Sequence, residues 1–112
     1  MSKNIWLYPE VVDFRKQLNG LIVLIVDALD KDPGSGELFI FRNRAGNKLK
    51  MVYFDGRCFW LVYCRLEKGR FKLPDPDQEV FLLSYDQLQW LLSGINFMQQ
   101  EVKKTRKIKH YY

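Results

Sequence analysis

Hydrophobic residues recur along the first third of the chain at three- and four-residue steps. Phe14, Leu18, Leu21, Ile22, Ile25, Val26 and Leu29 form one stripe, while Arg15, Lys16, Gln17 and Asp27 fall off it. The spacing predicts a helix with Asp13 as its N-cap. Asp32-Pro33-Gly34-Ser35-Gly36 ends it with turn chemistry at nearly every position. Upstream, residues 4–8 predict a short strand that stops before Pro9.

The period then changes. Leu38–Arg42 is a short aromatic and apolar run, and residues 43–47 form a Gly-containing loop. In residues 48–55, Leu49, Met51 and Tyr53 share a face opposite Lys48 and Lys50. Asp55-Gly56 is a strong hairpin signal. Residues 57–66 continue the sheet, with Cys58, Trp60, Val62 and Cys64 on one face and Phe59, Leu61, Tyr63 and Arg65 on the other. Residues 67–70 turn the chain, and Phe71-Lys72-Leu73 predicts a last short strand before Pro74. Connections this short predict an antiparallel meander.

Residues 74–79 form an acidic, Pro-containing loop. Ser84-Tyr85-Asp86-Gln87 is a capping-box pattern opening a second helix, with Leu88, Trp90, Leu91, Leu92 and Ile95 on its apolar side and Gly94 as terminator. The expected architecture is α+β: a small antiparallel β-meander flanked by an N-terminal and a C-terminal helix, both packed on one sheet face. Residues 1–100 make a single domain, and 101–112 a basic C-terminal tail.

Composition agrees with one domain. The chain has 112 residues, 47% hydrophobic and 28% charged, enough for one core. Its longest apolar run, residues 21–26, is far short of the ~20 residues that cross a bilayer, so no membrane partner is expected. The N-terminus has no cleavage-site pattern, so a cytoplasmic location is the default. Cys58 and Cys64 lie roughly 20 Å apart along one strand, too far for a disulfide, and read as small buried hydrophobes. Trp60 and Trp90 are expected in the core.

The formal net charge is +5, unevenly spread. Residues 42–72 carry nine cations against Asp55 and Glu67, whereas residues 73–100 carry four acids and no cation. Five cations against Glu101 make the tail basic again. The candidate nucleic-acid-binding residues are Arg42, Arg44, Lys48, Lys50, Arg65, Lys68, Arg70 and Lys72 in the sheet region, with Lys103, Lys104, Arg106 and Lys107 in the tail. Interleaved Tyr53, Phe59, Tyr63 and Phe71 are candidates for stacking on bases. Two readings stand side by side: phosphate contact, or a solvated face and a solubilising end.

Catalysis has no supporting constellation. The one histidine, His110, lies in the tail, away from any Ser or Cys it could activate. Asp75, Asp77 and Glu79 sit in a Pro-bearing loop and read as solvated. No phosphate-binding Gly-rich loop is present. Neither enzyme activity nor a cofactor or metal is expected.

The order of short motifs carries a resemblance. Asp13-Phe14-Arg15-Lys16, Gly20-Leu21, Asp32-Pro33-Gly34-Ser35-Gly36 and Leu38-Phe39-Ile40-Phe41-Arg42-Asn43-Arg44 follow one another. Lys50, Phe54-Asp55-Gly56, Arg65-Leu66-Glu67-Lys68-Gly69-Arg70-Phe71 and Pro74 come next. Over roughly residues 5–97 this resembles the TnpB-type accessory proteins of bacterial insertion sequences of the IS sixty-six type, encoded beside the transposase. The resemblance implies an accessory role in transposition and no catalytic residues. Two positions depart from the pattern: Cys64 stands where the family usually has Lys, and Phe54 where it usually has Trp. The expected partners are DNA and the transposase or another element-encoded accessory protein. The alternative is a module that docks on the transposase without touching DNA.

Overall fold

A computed structural model gives the fold and describes residues 3–99. Strand β1 (Ile5–Val11) is followed by helix α1 (Leu18–Asp27), strands β2 (Leu38–Arg42), β3 (Lys48–Phe54), β4 (Phe59–Arg65) and β5 (Phe81–Leu83), helix α2 (Tyr85–Leu92) and a 3₁₀ turn at Phe97–Gln99. One five-stranded sheet has the order β4-β3-β2-β1-β5.

The α+β class holds, but the sheet is mixed. β2, β3 and β4 form the antiparallel meander, whereas β1 pairs with β2 in parallel. Residues 12–37, with α1 inside them, provide the long crossover that a parallel pair needs. β1 also runs past Pro9 to Val11. A register shift between Leu7 and Val11 accommodates a proline that has no N–H to give the ladder. Residues 71–73 form no strand. Phe71 N–H donates to the Gly46 carbonyl at 2.8 Å and its ring is buried in the core. The remaining strand is β5, antiparallel to the other side of β1.

The helices pack on opposite faces, not one. Leu21 and Ile25 of α1 join Phe39, Phe41 and Val52. Leu88 and Leu91 of α2 join Leu7, Ile40, Leu49 and Met51. Alternation along β2 and β3 sends these two sets to opposite sides. The sheet is therefore covered twice, and β2 is apolar on both faces.

Local rules set the ends of α2. Ser84 and Gln87 form the reciprocal capping box, with bonds of 2.8 and 3.1 Å. At the other end Gly94, at φ 82°, closes a Schellman turn: Ile95 N–H reaches the Trp90 carbonyl and Gly94 N–H that of Leu91. Helix α1 starts later than its apolar stripe suggests. Its N-cap, Gln17, makes no side-chain cap bond. Asp13 instead closes a preceding turn, accepting from the Arg15 N–H at 2.9 Å and pairing with its guanidinium at 2.6 Å. These bonds hold the Asp13 carboxyl at about 2, below its ordinary 3.8. Phe14 packs against the α1-side core from that turn.

Candidate nucleic-acid interface

The cations of β2 and β3 divide into two kinds. Arg44 and Lys48 bracket the β2–β3 turn, which Asn43 builds. Its Oδ1 accepts from Gly46 N–H (3.0 Å) and Lys48 N–H (3.1 Å), and its Nδ2 donates to Asn47 Oδ1 (2.8 Å). Arg44 is thereby presented to water. Two backbone bonds tie the turn after β4 to the same place: Leu66 N–H to the Asn47 carbonyl and Phe71 N–H to the Gly46 carbonyl, both 2.8 Å. Exposed Lys68, Arg70 and Lys72 are thus carried to the end of the sheet that holds Arg44.

Register adds the last two members. Lys48 lies directly opposite Arg65, so both side chains stand on the α1 side. Arg44, Lys48, Arg65, Lys68, Arg70 and Lys72 therefore converge on one end of the sheet. Arg65 is partly neutralised by Glu67 at 3.1 Å. Arg57 sits at the opposite end, in the Gly56-Arg57 hairpin loop.

Arg42 and Lys50 do not belong to this surface. Arg42 is only 8% exposed. Its guanidinium donates to the carbonyls of Asn43 (3.2 Å) and Pro74 (3.1 Å), and burial pushes its pKa down. Lys50 is 5% exposed, and its Nζ donates to the carbonyls of Phe14 (2.9 Å) and Lys16 (2.8 Å). Both are internal cross-braces out of reach of a phosphate. The bond to Lys50 brings the backbone of Lys16 beside β3, so exposed Lys16 flanks the cluster. Nothing local signals this, because the two residues are 34 positions apart. The tail cations Lys103, Lys104, Arg106 and Lys107 lie outside the described residues.

The aromatic set narrows as well. Phe71 is core, and Phe59 packs on Phe54 at 4.7 Å. Tyr53 lines a groove on the α2 side. Tyr63, 51% exposed and on the same face as Lys48 and Arg65, is the stacking candidate beside the cations. Trp60 is not core: it is 53% exposed, with its Nε1 donating to Asp55 at 2.8 Å. Asp55 also accepts from the Cys58 and Arg57 N–H groups, and these bonds, Cys58's first, lower its pKa. Cys58 is exposed rather than buried; Cys64 is half-buried, and both are free thiols.

Among the described residues no group of three or more His, Cys, Asp or Glu is placed to hold a metal ion. Asp75, Asp77 and Glu79 stay in water on their loop. No helix among these residues is long and apolar enough to cross a membrane. The α2-side groove, about 900 Å³, is lined by residues such as Ile5, Leu38, Tyr53, Leu82, Tyr85 and Leu88.

Residues 3–102 match the family described as IS66 Orf2 like protein. The chain belongs to that family. It is an accessory open reading frame of IS66 insertion sequences. Two proteins of Sinorhizobium fredii are similar over nearly their whole length. The uncharacterized protein y4hO is 33% identical over 105 residues, which cover 93% of this chain and 91% of y4hO. The uncharacterized protein y4jC is 30% identical over 103 residues, covering 92% and 88%. No solved structure matches the chain.

Proposed function

We propose that the protein assists IS66-type transposition by binding nucleic acid without catalysis, in support of the transposase. The observation behind this reading is the convergence of six separate cations on one end of the sheet. Four come from the turns and two from a cross-strand pair, and Tyr63 stands beside them. Such a surface suits the phosphate backbone, which positions a protein without reading sequence. Tyr63 offers a ring face to an unpaired base.

The test is binding to duplex and single-stranded DNA over a salt series. The full chain is compared with a chain ending at residue 100 and with the triple variant Arg44→Ala, Lys68→Ala, Arg70→Ala. Binding is expected to fall steeply with salt. The triple variant should lower the slope of log K against log salt by ~0.9 for each duplex phosphate it no longer neutralises. No binding to either DNA at low salt ends this reading.

A second reading is docking on the transposase through the α2-side groove. Tyr85 stands exposed at its mouth, over an apolar floor of Ile5, Leu38 and Leu88. Co-purification with the transposase distinguishes it: Tyr85→Ala should release the complex and leave DNA binding unchanged.

A further inference from the structure

The two edges of the sheet differ. β5 is three residues long and runs straight into the capped start of α2. β4 is seven residues long, pairs with β3 without a bulge and contains no proline. Asp55 N–H bonds the Cys58 carbonyl at one end of this ladder, and Leu66 N–H bonds the Asn47 carbonyl at the other. Antiparallel bonding alternates, so even-numbered residues of β4 bond inward to β3. Phe59, Leu61, Tyr63 and Arg65 therefore point their N–H and C=O groups outward. Among the described residues those groups have no partner. The strand also exposes Trp60, Val62 and Tyr63, an unusual apolar load for an unprotected edge.

We infer that β4 pairs antiparallel with β4 of a second copy of this chain, about a twofold axis at Val62, joining two sheets into one of ten strands. Self-pairing is favoured because β4 is the long, regular edge of the sheet, whereas the other edge, β5, offers only three residues. An isologous contact there uses it up and closes after two copies. The register follows from charge. With the axis at Val62, Leu61 meets Tyr63 of the second copy, Trp60 meets Cys64, Phe59 meets Arg65 and Arg57 meets Glu67. That gives apolar pairs in the centre, a ring under each guanidinium and an opposite-charge pair at each end. Moving the axis to Leu61 sets Arg57 against Arg65, and moving it to Tyr63 sets Phe59 against Glu67. The inference does not depend on nucleic-acid binding.

The full chain is tested by light scattering on a sizing column and by disulfide trapping. The wild type is expected to run as a dimer. Val62→Lys sets two ammonium groups face to face and should weaken the dimer at least about tenfold. Val62 is 47% exposed, so thermal unfolding of the monomer serves as the folding control. At the axis Val62 forms a non-hydrogen-bonded pair with Cα atoms ~4.5 Å apart, within disulfide range. Cys58→Ser, Cys64→Ser, Val62→Cys should therefore cross-link on mild oxidation. A wild type that stays monomeric at its highest soluble concentration overturns the inference. So does a dimer that Val62→Lys leaves intact, and a dimer that truncation after residue 99 abolishes while Val62→Cys never cross-links. Wild-type dimers joined Cys58 to Cys64 overturn the Val62 register.

Discussion

Arg42 and Arg44 stand two residues apart, as do Lys48 and Lys50, on the two arms of one turn. The inner pair is buried, whereas Arg44 is exposed and Lys48 half-buried. Their difference lies in what each side chain can reach. Lys50 extends under the 13–16 turn and finds two main-chain carbonyls, and Arg42 finds two more at Asn43 and Pro74. Arg44 and Lys48 stand where the sheet ends and have no such acceptors among the described residues. A cation count along the sequence treats all four alike. In the fold two of them brace the protein and two remain free to meet a partner.

Lys50 puts this contrast under the most strain. Lys50→Met keeps the stem but removes two charge-assisted bonds and leaves the Phe14 and Lys16 carbonyls unpaired. Bonds to charged groups contribute ~1.5–3 kcal/mol each, partly offset by relief of desolvation, so a loss of ~2–4 kcal/mol is expected in denaturant unfolding. Amide exchange should quicken first in residues 13–17. Arg42→Met is expected to cost less, ~1–3 kcal/mol, because one of its bonds is local and long at 3.2 Å. Its signature should be loosening of residues 71–74. If either variant loses DNA binding at unchanged stability, its cation belongs with the outer pair.

Acid gives a finer test of the same brace. Asp13 orders the turn whose carbonyls receive Lys50, and its carboxyl is held at about 2 by Arg15, first through the guanidinium and then through the backbone N–H. A carboxyl depressed on folding stabilises fully above its unfolded value. That contribution disappears as pH falls through the folded value, so the window here runs from about 3.8 down to about 2. Wild type should exceed Asp13→Asn in stability at neutral pH, and the two should converge below the window. The ion pair is exposed, so the difference should be small and should shrink with salt. A difference that stays constant with pH shows that the carboxylate charge is not its source.

Local chemistry is legible in the sequence, and pairing across distance is not. Ser84 with Gln87 and Asp55-Gly56 each settle within a few residues, and each forms as the pattern implies. The parallel β1–β2 pair depends on a choice made across residues 12–37, which no local signal encodes. The pattern misplaces Lys50 for a related reason. Treating β3 as half-covered sends Lys48 and Lys50 to water together, but α1 covers that face. The hint lies in Phe39-Ile40-Phe41, an apolar run without alternation, which marks a strand buried on both sides. Asp13 shows the converse limit. It has the chemistry of a cap, but its own turn with Arg15 uses that chemistry before the helix begins.

The smallest expected effect belongs to the outer pair, and it is the one that decides whether these cations are free. Arg44→Ala removes an exposed side chain from a turn that Asn43 holds without it. Lys48→Ala leaves its backbone bond to Asn43 in place and relieves a like charge directly opposite Arg65. That relief offsets the weaker strand preference of alanine. The double variant should therefore unfold within ~0.5 kcal/mol of wild type, as surface changes away from special contacts do. Its DNA affinity should nonetheless fall, and its salt slope with it. A stability loss comparable to that of Lys50→Met would make Lys48 a second brace. The cationic end would then be reduced to the turn residues Arg44, Lys68, Arg70 and Lys72 beside Arg65.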